Sequence, residues 1–136
     1  MAIFGEARGQ SIEAKHGVGA VIRNRAMSKL AWWKKGPGDT DWHKVILQPY
    51  QFSSFLPSDP NAHKMLDPLA YERRSVWVDC LVVADAVFQG LHIDVTQGSD
   101  HYFDDSIMPP HWAAPEKFIM KIDSLNFYRI YLKKPI

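Results

Sequence analysis

Apolar residues recur at helical spacing in two long stretches of the chain. The first stretch has an apolar residue every three or four positions, at Ala14, Val18, Val21, Ile22 and Ala26. This spacing places the five side chains on one face of a helix. Ser11 is suited to cap the start, because a serine hydroxyl accepts a hydrogen bond from a free N–H of the first turn. We therefore predict a helix that reaches about Ser28 and packs one face against a core.

The second stretch follows Pro68 and has the same periodicity. Its apolar positions are Leu69, Val76, Trp77, Cys80, Val83, Ala84, Val87 and Phe88. Gly90 stands where a helix commonly ends in a left-handed residue. A helix from Pro68 to about Gln89 would span roughly 30 Å, and we predict that it is the core helix. Cys80, the one cysteine, lies on its apolar face and is predicted to be a buried small hydrophobe.

A short helix is predicted before the first long one. Its buried face can be formed by Ala2, Ile3, Phe4 and Ala7. Gly9 is expected to end it in the left-handed conformation. Gly17 and Gly19 weaken the following helix by up to ~1 kcal/mol each relative to alanine. We expect the backbone of a neighbouring element, such as the short opening helix, to approach closely at these glycines.

The remaining pattern predicts loops and one small β element. Pro49 makes a continuous helix through residues 45–55 unfavourable, and residues 94–103 read as a polar loop. Two β-rich runs, 117–122 and 126–132, flank Asp123-Ser124-Leu125, which predicts a hairpin. The expected fold is α+β, mainly α, in a single domain over residues 1–136 with a small C-terminal β-hairpin.

Composition narrows the possible partners. The chain has 136 residues, with 16 basic and 15 acidic side chains, so it lacks the clearly basic charge that is typical of nucleic-acid binding. No apolar run approaches the ~20 residues that a membrane span needs, and no basic leader with an apolar run precedes Gly5. We expect a monomer that binds neither nucleic acid nor a membrane.

Glu6 is the first candidate for chemistry. A carboxyl held against apolar neighbours keeps its proton to higher pH, because burial disfavours the anion. Such a carboxyl can act as a general acid near neutral pH. The alternative is a surface glutamate paired with Arg8 or Lys15.

Other polar and aromatic groups leave two interpretations open. Trp32, Trp33 and Trp42 are either core residues or rings that stack on sugars, and the loop with Gln51 and Ser53 either binds a glycan or satisfies its own backbone. A further group of acidic and imidazole side chains comprises Asp100, His101, Asp104 and Asp105. It lacks the spacing of a structural zinc site, so we expect no metal and no cofactor.

Four blocks in order resemble one protein family. The first is Ile3-Phe4-Gly5-Glu6-Ala7-Arg8-Gly9-Gln10, and the second is Val21-Ile22-Arg23-Asn24-Arg25. The third is Pro49-Tyr50-Gln51-Phe52-Ser53, and the fourth is Asp94-Val95-Thr96-Gln97-Gly98-Ser99-Asp100-His101-Tyr102-Phe103. With residues 3 to about 131 covered, the chain resembles the SleB-like cell wall hydrolases, the spore-cortex-lytic enzyme type of lytic transglycosylase.

The resemblance implies a lysozyme-like or transglycosylase-like fold and a defined reaction. The expected substrate is the peptidoglycan glycan strand, cleaved between N-acetylmuramic acid and N-acetylglucosamine, with Glu6 as general acid and base. The expected substrate-binding residues are Gln51, Ser53, His101, Tyr102 and Trp112. Asn24 and Arg25 are expected to brace the wall of the site.

The resemblance also implies action on the bacterial cell wall. Without an export signal in this chain, the protein is expected to be either a phage lysis enzyme (endolysin-like, made in the host cytoplasm) or a shortened form of an exported enzyme.

Two alternatives to a transglycosylase stay open. A hydrolytic muramidase would use a second carboxylate, for which Asp94, Asp100 and Asp104 are candidates. A non-catalytic peptidoglycan-binding or virion structural protein would keep the fold without activity. The chain also departs from the family at residues 122–126, where the expected glycine and histidine are missing, which puts a ligand contact at that turn in doubt.

Overall fold

The computed structural model describes residues 1–49 and 51–133 and has five α-helices and three strands in this part of the chain. The helices are α1 (Ala2–Ala7), α2 (Ile12–Met27), α3 (Asp41–Ile46), α4 (Pro68–Tyr71) and α5 (Arg74–Gln89). The strands are β1 (His101–Asp104), β2 (Phe118–Ile122) and β3 (Leu125–Tyr128). Short 3-10 turns lie at Ala31–Trp33, Ser53–Phe55, Ala62–Met65 and Pro115–Lys117. The mainly α class with a small β part is confirmed.

Helix α2 lies at the centre of the fold. Its start is capped as predicted, since the Ser11 hydroxyl accepts from the Ala14 N–H at 3.1 Å, and its five apolar positions are all buried. Lys15, Asn24 and Arg25, outside that stripe, are buried as well. The prediction that the second apolar stretch forms the core helix is therefore wrong. Helix α5 buries only one side.

The second stretch is also not one helix. It is interrupted at Glu72 and Arg73, whose backbones are extended, with ψ angles of 157° and 143°. Leu69 and Tyr71 in α4 stay exposed (52% and 53%), so α4 has no buried face that could stabilise a longer helix. The Arg73 N–H is bound instead by the Glu72 carboxylate at 3.1 Å. The end at Gly90, with φ 73°, is as predicted.

One prediction about a helix end is wrong, and one short helix was not predicted. Helix α1 ends at Ala7 with Arg8 in the right-handed region, and Gly9 is not among the glycines with positive φ, so its predicted left-handed role is wrong. Helix α3 was not predicted. Its N-cap is Thr40, whose hydroxyl accepts from the His43 N–H at 3.2 Å.

The close neighbours of Gly17 and Gly19 in α2 are side chains and not the backbone of another element. A Cβ on Gly17 would lie 2.6 Å from Cζ of Phe127, and one on Gly19 would lie 2.8 Å from a methyl of Val87. Ile3 of α1 also approaches Gly19, at 3.3 Å. The expected close contact exists, but its partners are an aromatic ring and aliphatic groups.

The three strands form an antiparallel sheet in the order β1-β3-β2. The predicted hairpin is present, with Asp123 at positive φ (50°) in its turn, and β1 adds a third strand where the sequence predicted loop. Because side chains alternate along a strand, the sheet has two faces. Tyr102 and Phe127 are on the inner face, towards α2, whereas His101 and Phe103 are on the outer face.

Residues 1–49 and 51–133 contain no helix with the length and apolar content needed to cross a membrane.

Candidate active site

Glu6 lies in the last turn of α1, held by its neighbours in sequence. Phe4 and Ala7 are buried (0% and 1% exposed) and fix the helix against the core. The Ser54 hydroxyl donates to Oε1 of Glu6 at 3.2 Å, and the Tyr102 hydroxyl donates to Oε2 at 3.1 Å. Three segments that are distant in sequence thus meet at one carboxyl group.

Burial raises the pKa of Glu6 above its ordinary value. Hydrogen bonds from Tyr102 and Ser54 favour the anion and oppose this rise, while the negative charge of Asp59 adds to it. The pKa of Tyr102 is raised well above its ordinary value by burial and by the Glu6 charge. Tyr102 therefore keeps its proton and remains a hydrogen-bond donor.

The partners that a surface glutamate would use are engaged elsewhere. The Lys15 ammonium donates to the Gln10 carbonyl at 2.7 Å, and the Arg8 guanidinium lies over the Phe4 ring at 5.6 Å. Glu6 forms no ion pair within the described residues. Its carboxyl is therefore a hydrogen-bonded, desolvated group.

A cavity of about 310 Å³ opens beside Glu6. It is lined by Gly5, Glu6, Ala7, Arg8, Gly9, Gln10, Asn61 and Glu72. Glu72 reaches it from the interruption between α4 and α5, which the apolar pattern did not reveal. A second acidic residue thus lines the same cavity as Glu6.

The Gln-Phe-Ser block lies next to this carboxyl, but with a different serine. Ser54, which sequence reasoning missed, contacts Glu6, whereas Ser53 is exposed at the start of a 3-10 turn. Gln51 is exposed, and its side-chain oxygen accepts from Arg25 at 3.1 Å. The doubled serine is the one signal that could have suggested Ser54. Tyr50 lies outside the described residues.

The structure separates the other predicted binding residues from Tyr102. His101 and Trp112 pack ring on ring, with centroids 4.7 Å apart, and Trp112 also contacts Phe103 on the outer face of the sheet. Tyr102 points to the opposite face, towards Glu6. Of the predicted residues, Tyr102 contacts Glu6. Gln51 and Ser53 belong to the exposed segment next to Ser54, and His101 and Trp112 lie on the face of the sheet opposite to Tyr102.

Asn24 and Arg25 hold the loop before β1. The Asn24 amide donates to Asp94 and to the Ser99 carbonyl, both at 2.9 Å. The Arg25 Nε donates to the Asp100 carbonyl at 2.7 Å. The end of α2 thereby positions the segment that leads to Tyr102.

The three aspartates considered as second carboxylates serve the fold. Burial alone would raise the pKa of Asp94 and of Asp100, but hydrogen bonds outweigh it and lower both pKa values. Asp94 accepts from Thr96 and Gly98 within its own loop. The pKa of Asp104 is lowered chiefly by a hydrogen bond from Ser124, at 2.6 Å.

Asp100 is fully buried and binds the segment after β3. Its carboxylate accepts from the backbone N–H groups of Ile130, Tyr131 and Leu132 at 2.7–2.8 Å and contacts Nδ1 of His101 at 2.9 Å. All of these contacts are to groups that shape the chain, so none of the three aspartates offers a free carboxylate for chemistry.

The tryptophans divide between the two interpretations. Trp33 is buried (3% exposed), and Trp42 packs against the core and against the Phe88 ring. Trp32 remains 45% exposed. Within residues 1–49 and 51–133, no group of three or more His, Cys, Asp or Glu side chains is arranged to hold a metal ion.

One family model and two solved structures match the chain. The model of the family described as Cell Wall Hydrolase matches residues 9–128, so the match begins after Glu6. The catalytic domain of the Bacillus cereus SleB protein is 23% identical, with a TM-score of 0.58 over 94% of this chain and 84% of that chain.

A second solved structure is similar to the same degree. The catalytic domain of the germination-specific lytic transglycosylase SleB from Bacillus anthracis is 23% identical, with a TM-score of 0.57 over 94% of this chain and 88% of that chain. The likeness in fold confirms the expected architecture. No curated protein sequence matches the chain at a significant level.

Proposed function

The chain belongs to the cell wall hydrolase family, and we propose that it is a lytic transglycosylase that cleaves the β-1,4 bond between N-acetylmuramic acid and N-acetylglucosamine in peptidoglycan. The observation that carries the proposal is the desolvated Glu6 carboxyl with its two hydroxyl donors, Ser54 and Tyr102. Residues 1–136 form its catalytic domain.

In the first step Glu6 acts as a general acid. Burial raises the pKa of its carboxyl, which favours the protonated form that a general acid needs. The proton passes to the glycosidic oxygen as the bond to the muramic acid C1 breaks. The sugar becomes oxocarbenium-like, and the Glu6 carboxylate is left behind. The hydroxyls of Ser54 and Tyr102 then donate to this anion and limit the cost of its charge.

In the second step the same carboxylate acts as a base. It takes the proton of the 6-hydroxyl of the muramic acid, whose oxygen bonds to C1 and closes a 1,6-anhydro ring. One carboxyl group suffices, because the nucleophile belongs to the substrate. This favours transglycosylation, since Asp94, Asp100 and Asp104 are committed to the fold.

Hydrolysis by a muramidase is the second candidate, and one observation favours it. Glu72 lines the same cavity as Glu6, and a second carboxylate can activate a water in a glycosidase. Glu72 replaces the three aspartates as the residue to test in this role.

The proposed glycan contacts divide into two groups. Gln51 and Ser53 lie on the exposed segment next to Ser54, where their amide and hydroxyl groups can bind sugar substituents. His101 and Trp112 lie on the outer face of the sheet and would meet a strand only away from the Glu6 cavity.

Mass spectrometry of the muropeptides released from purified peptidoglycan, in water enriched in ¹⁸O, tests the proposal. Products with anhydro ends and no label support transglycosylation, whereas reducing ends that carry the label indicate hydrolysis. In the second case Glu72→Gln should abolish label uptake. No release by the parent protein, with binding retained, would establish the non-catalytic alternative.

The role of Glu6 is tested by Glu6→Gln, which keeps the shape of the side chain and removes its proton chemistry. Product release should fall at least about a hundredfold, the scale of general acid catalysis. Glu13→Gln is the matched control, because Glu13 is exposed in the first turn of α2. Equal activity of Glu6→Gln and the parent would refute the assignment.

A further inference from the structure

Two exposed aromatic rings lie together outside the Glu6 cavity. Trp32 and Tyr131, here called the aromatic platform, are 45% and 52% exposed, and their ring centroids are 5.4 Å apart. Both rings contact the buried Trp33. Exposed aromatic side chains that adjoin polar groups commonly mark binding surfaces, because Trp and Tyr offer a large contact area at a low cost in conformational entropy.

The platform is rigidly supported. The Tyr131 N–H donates to the fully buried Asp100 carboxylate at 2.8 Å, as do the N–H groups of Ile130 and Leu132. Burying a carboxylate is costly unless it is fully hydrogen-bonded, and here these bonds fix the segment that carries the exposed Tyr131 ring. The ring also packs on His101, at 5.5 Å. A binding surface that is fixed beforehand loses little entropy when its ligand binds.

A basic cavity adjoins the platform at Tyr131. Its volume is about 490 Å³, and its charged lining residues are Lys117, Arg129, Lys133 and Glu116. Three cations against one carboxylate favour an anionic ligand. Tyr131 lines this cavity as well as belonging to the platform, so one ligand can contact both.

The platform is connected to the Glu6 site by packed side chains. The Arg25 guanidinium lies over the Trp33 ring at 5.6 Å and donates to the exposed Gln51. Gln51 is three residues before Ser54, which contacts Glu6. Contacts through Trp33 and Arg25 thus connect the platform to the segment that carries Gln51 and Ser54.

We propose that the aromatic platform and the basic cavity form a second binding site for the peptidoglycan strand, in which sugar rings stack on Trp32 and Tyr131 and stem-peptide carboxylates enter the cavity. The proposal rests on the proposed function for its ligand. The site holds the polymer while the Glu6 site acts on a bond elsewhere in the same strand.

Retention on insoluble peptidoglycan, measured by sedimentation, tests this site without requiring cleavage. All variants are made in the Glu6→Gln background. Trp32→Ala and Tyr131→Ala should each weaken retention about threefold to tenfold, the range expected for a lost aromatic contact. Trp32→Tyr should restore it, whereas Trp32→Leu, which keeps apolar bulk, should not. Phe88→Ala is the matched control, since Phe88 is 62% exposed on α5.

The charged half is tested with Lys117→Gln on two probes. Lys117→Gln should weaken retention on intact peptidoglycan. On glycan strands stripped of stem peptides, the variant and the protein that keeps Lys117 should be retained equally. Unchanged retention of Trp32→Ala and Tyr131→Ala, or parent-like retention of Trp32→Leu, would overturn the stacking site. An equal effect of Lys117→Gln on both probes would overturn the assignment of the cavity to peptide carboxylates. Neither result depends on whether Glu6 is catalytic.

Discussion

Removal of the Tyr102 hydroxyl tests how the surroundings of Glu6 set its proton affinity. Tyr102→Phe deletes the donor that lies 3.1 Å from Oε2 of Glu6 and keeps the ring that packs on Phe127 at 5.8 Å. Since the hydroxyl has Glu6 as its one hydrogen-bond partner in the described residues, no other polar group loses a partner. The change therefore acts on Glu6.

The direction of the effect follows from the hydrogen bond. The Tyr102 hydroxyl favours the anion and lowers the pKa of Glu6, so its loss leaves desolvation less opposed and raises that pKa further. A hydrogen bond to a charged group contributes roughly 1.5–3 kcal/mol of stabilisation. The neutral acid also accepts this bond, so only part of that free energy shifts the pKa. At 1.36 kcal/mol per pH unit, the alkaline limb of kcat/KM should move up by about one pH unit. Ser54→Ala should move it in the same direction by less.

The assay is the pH dependence of kcat/KM for release of soluble products from peptidoglycan. In a general-acid mechanism the alkaline limb reports loss of the Glu6 proton. Tyr128→Phe is the control, because Tyr128 lies on the outer face of the sheet and should leave the limb in place. A limb that stays fixed or moves down in Tyr102→Phe would refute the electrostatic account of Glu6.

Three further changes test stability. Folding raises the pKa of Glu6, so the stability of the protein falls as the pH rises above the pKa that Glu6 has in the unfolded chain. Glu6→Gln should therefore raise the thermal midpoint near pH 7 and leave it unchanged near pH 3. Folding lowers the pKa of Asp100, so the stability that its carboxylate contributes is lost as the pH falls. Asp100→Asn should lower the free energy of unfolding, measured by urea titration, by about 3 kcal/mol near pH 7 and by less in acid. Gly17→Ala drives a Cβ against Phe127 and should cost about 1–3 kcal/mol, whereas Gly9→Ala, with open space around it, should not.

Local signals predicted the elements that local interactions define. Helix α2 follows from its Ser11 cap and its apolar stripe, and the end of α5 follows from Gly90. The interruption at Glu72 could not be predicted, because it depends on α4 finding no partner for its apolar side chains in the folded protein. The central position of α2 was missed for a related reason: burial of Lys15 and Arg25 depends on the carbonyl groups that other segments supply.

The residues of the candidate site also fall into two groups, those that the sequence indicates and those that only the folded structure reveals. Glu6 and Tyr102 could be proposed from the sequence, because blocks that resemble a known family contain them. Ser54 and Glu72 were missed, since only the folding of the chain brings them to the Glu6 region. The side on which His101 lies depends on residues 101–104 being a strand, and a loop prediction cannot assign that side.

Gly5, the residue before Glu6, leaves the space that Ser54 occupies beside the Glu6 carboxyl. A Cβ on Gly5 would lie 2.4 Å from Oγ and 2.7 Å from Cβ of Ser54, and 2.9 Å from Sδ of Met65. A larger residue would push Ser54 away from the Glu6 carboxyl and let water enter, and both changes would alter its proton affinity, since the hydrogen bond lowers the pKa and desolvation raises it. The opening motif therefore requires Gly5 for the space that it leaves, whereas Phe4 is required for anchoring: its ring is fully buried and packs edge-on against Trp77 at 5.4 Å.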